Sequence, residues 1–521
     1  MGVELQKKTV SRPLHVAKAT RRPAFFHRLY FLLIATVLIT LCSKSSPLYP
    51  LNDWVDANCF FTVGKSMLSG LVPYRDLIEQ KGPVVYFLHM VAAMLSYRSF
   101  FGVYLLEIGA AFVFLWYGYR TCCLLTPHKG RALFLSVIAV LLYTSKAFSH
   151  GDSVEELALA PLAYSLYVGV RAVVRKACPP VGTSVAIGIL SGMLFWSKFT
   201  LVGLYVGWIV MVSIVTLQEQ GVARLLRLWF AIAMGLALIS LPILGWFYAK
   251  GALSDLFRVY FWDNIFHYGR LQGETQGIFS NVLRGYHAMQ CSLGSIALLG
   301  LLGLFWSCIF KAHRIAMHLT LQALAMFFFL YAGGRFYGYY ALPLGLFGVV
   351  GAASLADFWQ RWRQNGLGRV GENGNPIKPS PHPLLTVSGG VLAIILVAGF
   401  AWFFSPNAYL RGAKQATMPQ YRFAKIMEQK AHPTLLNVGF LDGGFYTAAG
   451  IVPSVPAFCQ LNGNASVVRT LQEEAIAARK VDFLVTRGEE RTFAGYRLID
   501  RADFFFEAPQ HYVLYEKEKN N

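Results

Sequence analysis

Over about the first four hundred residues of the chain, long apolar runs alternate with short polar stretches. The runs fall at 29–46, 101–123, 132–148, 154–174, 183–197, 199–217, 228–248, 291–310, 315–332, 339–357 and 384–404. Most come near the roughly 20 residues that a helix needs to cross the hydrocarbon core of a bilayer. Their apolar residues run on without the alternation of a barrel strand. In that core every backbone amide and carbonyl needs a partner within the protein, so repeated apolar runs predict helices. The pattern predicts an all-α polytopic membrane bundle of about eleven transmembrane helices.

After residue 404 the pattern changes. Leu435–Gly439, Val481–Thr486 and Tyr512–Tyr515 read as strands, and 466–479 reads as a helix with Ala and Glu at helical spacing. Residues 405–521 therefore form a small C-terminal α/β domain. The segment 359–383, rich in Gly, Asn and Pro, reads as a linker.

Charge gives the bundle a direction. Lys129 and Arg131 follow the second run, and Arg171, Arg175 and Lys176 lie at the end of the fourth or just after it. Arg224 and Arg227 follow the sixth, Lys311 and Arg314 the eighth, and Arg361, Arg363, Arg369 and Lys378 the tenth. Basic loops stay on the cytoplasmic side. The basic residues 1–28 are then cytoplasmic, and the first run is a signal anchor with no small-residue cleavage site after it. The domain plan is a cytoplasmic N-terminus (1–28), a transmembrane domain (29–404) with outer loops 47–100 and 249–290, and an extracytoplasmic tail (405–521). A further apolar stretch, 83–95, is short. Counting it as a span would move Lys129 and Arg131 outside, so it reads as an interfacial or half-inserted helix.

Composition agrees with this class. The chain is 55% hydrophobic and 14% charged, well below the roughly 25% charge of soluble proteins. The net charge of +20 is accounted for by the inner loops, so no nucleic-acid partner is called for. The eight cysteines show no metal-ligand spacing. Cys59 and Cys459 fall on the same outer side, which leaves a disulfide between them open.

Candidate chemistry gathers in the outer loops. Asp53 and Asp56 follow the first span almost at once, before an amphipathic stretch containing Phe60, Phe61, Val63, Met67 and Leu68. A carboxylate at the mouth of a helix bundle is costly to desolvate, although both acids also suit the cap of the following helix. Pro73-Tyr74-Arg75-Asp76 makes a turn, and Lys81-Gly82-Pro83 opens the next helix. Between the third and fourth spans, His150-Gly151-Asp152-Ser153-Val154-Glu155-Glu156 combines a helix cap with acids pointing about 100° apart, so one of Glu155 and Glu156 can face a cavity. Lys81, Lys198, Arg270 and Arg335 are cations on the outer side, against the general charge trend. They suit an anionic headgroup or phosphate, or, for Lys198, snorkelling to the interface. Tyr260 to Asn264, with Asp263, then Tyr268 and Arg270, suit sugar hydroxyls and ring faces, and equally an interfacial aromatic belt. Gly333 to Tyr340, including Arg335 and Tyr337, forms a Gly-Tyr loop at the outer end of the ninth span.

No phosphate-cradling P-loop, HExxH, GxSxG or paired CxxC is present. Asp53 and Asp56 are spaced D-x-x-D rather than D-x-D, so a sugar-nucleotide metal motif is not supported. The residues define no metal site, and a divalent cation stays open as a cofactor.

An acid after the first span, an amphipathic surface helix, Gly-x-x-Pro-Tyr-x-Asp and then Lys-Gly-Pro opening another helix make a pattern that resembles the integral membrane glycosyltransferases of the GT-C fold. It is most similar to the bacterial family 39 type, akin to protein mannosyltransferases and lipid A aminoarabinose transferases. The resemblance covers most of 29–350. It implies a polyprenyl-phosphate-linked sugar donor, a glycan, lipid or protein acceptor, and transfer outside the cytoplasmic membrane, commonly with inversion. It maps the presumed base onto Asp56 or Asp53, with Asp56 favoured because the surface helix follows it directly; Glu155 joins them as a candidate catalytic acid from its place in the second loop. It maps the phosphate element onto Lys81 and Pro83, with Gly82 inserted. Lys198, Arg335, Tyr74, Asp263, Arg270 and Tyr337 complete the expected substrate-binding set. The rival readings are a transporter or flippase of lipid-linked sugars, which would show internal repeats and charges at the midplane, and a non-enzymatic envelope scaffold.

Overall fold

The computed structural model describes residues 21–267, 277–366, 387–460 and 465–519. Its helices are α1 (Arg21–Cys42), α2 (Val55–Leu68), α3 (Pro83–Leu95), α4 (Phe101–Leu125), α5 (Arg131–Tyr143), α6 (Val154–Arg175), α7 (Val181–Phe195), α8 (Gly203–Gln220), α9 (Val222–Ala249), α10 (Leu253–Leu256), α11 (Ile278–Leu293), α12 (Ser295–Phe310), α13 (His313–Tyr331), α14 (Gly348–Gly366) and α15 (Val387–Phe404). The C-terminal tail adds α16 (Pro419–Met427), α17 (Phe445–Ala449), α18 (Ala465–Ala477) and strands β1 (Leu435–Val438), β2 (Phe483–Arg487), β3 (Tyr496–Phe506) and β4 (Ala508–Lys517).

This is a multi-pass membrane protein. Seven helical stretches are long and apolar enough to cross a bilayer: Phe25–Cys42, Phe101–Leu125, Val154–Arg175, Phe199–Gln220, Val222–Ala249, His313–Tyr331 and Gly338–Arg363. The pair α11 and α12, bent by 114°, makes an eighth if taken as one span. The other three of the eleven apolar runs fall on α5, α7 and α15, apolar helices shorter than this length among the described residues. α5 and α7 have 13 and 15 residues, or roughly 20 to 22 Å of helix. The apolar runs read through helix ends into turns, at Thr144–Ser149 and at Ser197–Lys198. Residues 278–290 of the expected outer loop are helical, in α11, and α14 carries helix through residue 366 of the expected linker.

Burial follows from the solvent on each side. On α9 the large apolar side chains Phe230, Leu238 and Leu241 point away from the protein, as they do where lipid replaces water. Inward faces use small residues. A Cβ on Gly188 of α7 would sit 2.1 Å from the Ile232 carbonyl of α9, and one on Gly235 2.1 Å from that of Val185. Such close backbone approach is how membrane helices gain dispersion energy where lipid tails are already apolar.

The tail folds on a four-stranded sheet in the order β1-β2-β4-β3. β1 pairs parallel with β2 (Leu436 opposite Leu484), and β4 runs antiparallel to both β2 and β3. Leu436, Leu484, Val513 and Tyr515 alternate into a core with Ala475 of α18. Three of the strands and the helix fall where the apolar pattern predicts them. β3 does not, because Arg497, Asp500, Arg501 and Asp503 interrupt its apolar residues on the outward face. The tail is seated on the loops around α2. Asn407 donates from its side chain to the Cys42 and Ser149 carbonyls, and Thr62 donates to Asp442 at 2.6 Å.

Candidate active site

α2 starts the site. Its N-cap is Trp54, whose side chain makes no capping hydrogen bond, so neither Asp53 nor Asp56 is spent on the cap. Asp56 lies in the first turn, where the helix N-terminus favours a negative charge. Its Oδ2 accepts from the Tyr339 hydroxyl at 3.2 Å and lies 3.6 Å from Lys81 Nζ. Asp53 goes elsewhere. It pairs at 2.6 Å with Lys44, whose side chain is fully buried, and Lys44 also donates to the Tyr409 hydroxyl of the tail. The two acids, three residues apart, thus serve different surroundings: Asp53 a junction with the tail, Asp56 an open cleft.

Lys81 is positioned by backbone pairing. Gly82 and Val84 donate their amides to the carbonyls of Ser197 and Trp196, which brings the Lys81 turn against the Lys198 turn. A Cβ at Gly82 would sit 2.0 Å from the Trp196 carbonyl oxygen. The glycine between Lys81 and Pro83 is therefore a requirement of this close approach. Tyr74, in a left-handed conformation at φ 72°, donates its hydroxyl to the Lys81 carbonyl at 2.5 Å and stacks on Phe247. It is buried, and it supports the Lys81 turn rather than facing the cleft. Glu79 accepts from the Lys81 amide and from the Tyr86 hydroxyl, fixing the same turn from the other side.

Lys198 donates to Glu155 and lies 3.1 Å from the centroid of the Tyr340 ring. Burial lowers its pKa to about 8, against the opposing pull of Glu155, with Lys81 nearby lowering it further. Glu155 and Glu156 divide as their angular spacing suggests. Ser153 caps α6 by accepting from the Glu156 amide. Glu155 faces Lys198, while Glu156 turns inward and accepts from the Asp152 amide at 2.8 Å. Tyr339 and Tyr340 belong to the 3₁₀ segment Gly338–Phe347 that precedes α14. Tyr337 stacks on Tyr339, and Trp54 meets Tyr339 edge to face. Arg335, in the preceding loop, acts electrostatically on Tyr340 together with Lys81, Glu155 and Asp56.

The structure therefore brings together Asp56, Lys81, Lys198, Glu155, Tyr337 and Arg335, and sets Asp53 and Tyr74 in supporting positions. Asp263 lies in the π-helical segment Phe257–His267, whose Asn264 donates to the Gln80 carbonyl next to Lys81. Arg270 lies outside the described residues. Tyr339 and Tyr340 complete the cleft; the Gly-Tyr run signals them, but it does not say which ring faces inward. A buried layer beneath was missed. Glu107 of α4 accepts from the Ser43 hydroxyl and the Asp152 amide, and Asp152 meets His89 at 3.0 Å. Burial pushes the Asp152 carboxyl up despite His89. The signal for this layer was available: Glu107 is a lone acid in an apolar helix, and such residues are rarely idle. Among the described residues no three His, Cys, Asp or Glu side chains are grouped to hold a metal ion.

Beside the cleft runs an apolar cavity of about 450 Å³ between α3, α4, α6 and α7. Val84, Leu106, Ala158, Ile189 and Leu194 line it. Val84, Val154 and Ser197 at its wall adjoin the cleft residues Lys81, Glu155 and Lys198 in sequence.

A polytopic helical bundle with a cluster of basic and acidic groups near an apolar cavity, and a small C-terminal mixed-sheet domain, has the architecture of the GT-C membrane glycosyltransferases. The comparison with solved structures bears this out at the level of the fold. The chain matches the crystal structures of ArnT from Cupriavidus metallidurans, a GT-C lipid A aminoarabinose transferase, in two states. With ArnT bound to undecaprenyl phosphate it shares 14% identity at a TM-score of 0.58, and with the apo state 13% at 0.59. In each case the match covers 95% of this chain and 98% of the other. No protein-family model matches the chain, and no curated protein matches it.

Proposed function

We propose that the protein is a membrane glycosyltransferase that moves a sugar from a polyprenyl-phosphate donor to an acceptor hydroxyl at the outer face of the cytoplasmic membrane. The observation that carries this reading is the apolar cavity whose lining residues Val84 and Ser197 belong to the turns that carry Lys81 and Lys198, with Asp56 3.6 Å from the Lys81 ammonium. A prenyl chain needs a dry groove, its phosphate needs cations at the mouth, and the reacting sugar needs a base within reach of both. The basic residues of the alternate loops support an outward-facing mouth. The similar fold of ArnT, crystallised with undecaprenyl phosphate, supports the same donor class.

In this mechanism the lipid phosphate enters between Lys81 and Lys198 and draws Lys81 away from Asp56. Asp56 then accepts the proton of the acceptor hydroxyl as that oxygen attacks the anomeric carbon. The bond to the phosphate oxygen breaks with inversion, and Lys81, Lys198 and Arg335 stabilise the departing charge. A phosphate leaves without protonation, so one carboxylate suffices, unlike the two of glycoside hydrolysis. Glu155 holds Lys198 at the mouth, and Tyr339 orients the base. The test is transfer in reconstituted membranes. Asp56→Asn abolishes turnover and Asp53→Asn retains it at a level set by protein stability; full activity of Asp56→Asn would remove the assignment. A flippase is the weaker reading, because the cationic groups gather at one mouth of the bundle.

A further inference from the structure

Cys59 and Cys459 are 400 residues apart in the chain, yet their sulfurs lie 3.7 Å apart as thiols. Both are about 1% exposed. Cys59 is on α2, one turn after Asp56, and Cys459 lies in the tail between α17 and α18. The contacts around them are close and polar. Thr62 donates to Asp442, the Lys65 ammonium donates to the Tyr446 carbonyl at 2.8 Å, and Ile78 donates its amide to the Pro456 carbonyl at 3.0 Å. This seam holds the tail against the helix that carries Asp56.

We propose that Cys59 and Cys459 are joined by a disulfide in the mature protein, a covalent clamp that fixes the tail domain on α2. The proposal rests on the outward placement argued above, since disulfides persist outside the cytoplasm and are reduced within it. The sulfurs are already in van der Waals contact, and the bond shortens their separation to about 2.05 Å. Bond formation is a two-step exchange with a disulfide-bearing thiol oxidoreductase of the extracytoplasmic space. The Cys459 thiolate attacks the donor disulfide and releases one donor thiol. The Cys59 thiolate then attacks the Cys459 sulfur and expels the second. The two cysteines lose two electrons and two protons, which the donor gains as a dithiol. Once the seam is closed, the hydrogen bond with Cys459 and burial push the Cys59 thiol up, and burial pushes the Cys459 thiol up, so exchange belongs to the stage before the tail finishes docking. After that the bond is out of reach of reductant. The clamp closes a loop spanning nearly the whole bundle, the kind of crosslink that most restricts the unfolded chain.

The experiment uses the full chain in native membranes. Free thiols are blocked with N-ethylmaleimide in denaturant, then disulfides are reduced, new thiols are tagged with isotopically heavy N-ethylmaleimide, and peptides are read by mass spectrometry. The expected result is heavy label on Cys59 and Cys459 in the wild type, and light label on Cys459 in Cys59→Ser. Light label on both in the wild type overturns the clamp. A parallel arm labels Ser466→Cys, an exposed position of α18, with a membrane-impermeant maleimide in spheroplasts. Light cysteines with an outward Ser466→Cys overturn the clamp alone. Light cysteines with an inward one overturn the outward placement and the clamp together.

Discussion

Replacing Gly82 by alanine separates the role of backbone approach from that of charge. The added Cβ would lie 2.0 Å from the Trp196 carbonyl oxygen, where real Cβ contacts do not fall below 3.0 Å. The obstacle is backbone, so the 81–84 and 196–198 turns must part by about 1 Å. Lys81 and Lys198 flank this contact and part with it. At an effective dielectric of about 20, retreat of one cation from roughly 4 to 5 Å from a unit charge loses about 0.8 kcal/mol, and twice that for a phosphate dianion. Affinity for a polyprenyl phosphate then falls roughly tenfold to twentyfold, at about 1.4 kcal/mol per factor of ten. Undecaprenyl phosphate titrated into the purified protein in nanodiscs, read by tryptophan fluorescence, measures this directly, since Trp196 is at the contact. Gly109→Ala is the control: it lies on α4 with nothing within 4 Å of the added carbon. Wild-type affinity in Gly82→Ala, with an unchanged melting temperature, would refute the assembly of the cation pair by this backbone contact.

Three further outcomes follow from the same geometry. Lys198 is charged below its pKa of about 8 and neutral above it, so kcat/KM for the donor falls as pH rises through about 8; Lys198→Arg keeps its charge, and its pH profile stays flat to higher pH. Asp53→Ala strands the fully buried Lys44, with Glu507 left at 3.4 Å as partial compensation, and costs roughly 3 kcal/mol; thermal denaturation shows a clear drop that Asp56→Ala, at a partly exposed cleft, does not. Asp56→Asn removes the negative charge 3.6 Å from Lys81, so undecaprenyl phosphate binds at least as tightly as to the wild type while transfer is lost, measured on one preparation.

The bundle and the tail domain were legible because hydropathy and charge are read residue by residue. The apolar runs extend past the helix ends, since Ala147 and Phe148 continue the pattern through the turn at 144–149. Residue type and loop position single out Asp56, Lys81, Glu155, Lys198 and Arg335 as candidates, and these lie together in the fold. The division of labour between Asp53 and Asp56 was not legible, because it depends on Lys44 and on Tyr409 from the far end of the chain. Gly82 looked like an insertion into a Lys-Pro pair, and only the 196–197 carbonyls explain it. Glu107 and Asp152 came together through contacts between α4 and the loop before α6, which no local pattern reports.

The central claim is that this chain consumes a polyprenyl-phosphate sugar through Asp56. Mass spectrometry of lipid-linked sugars and envelope glycans tests it most directly, in cells lacking the gene and in cells complemented with wild type or Asp56→Asn. The account predicts that one polyprenyl-phosphate sugar accumulates and the matching envelope sugar disappears in the deletion, with both restored by wild type and neither by Asp56→Asn. Unchanged pools in the deletion, or full restoration by Asp56→Asn, would contradict it.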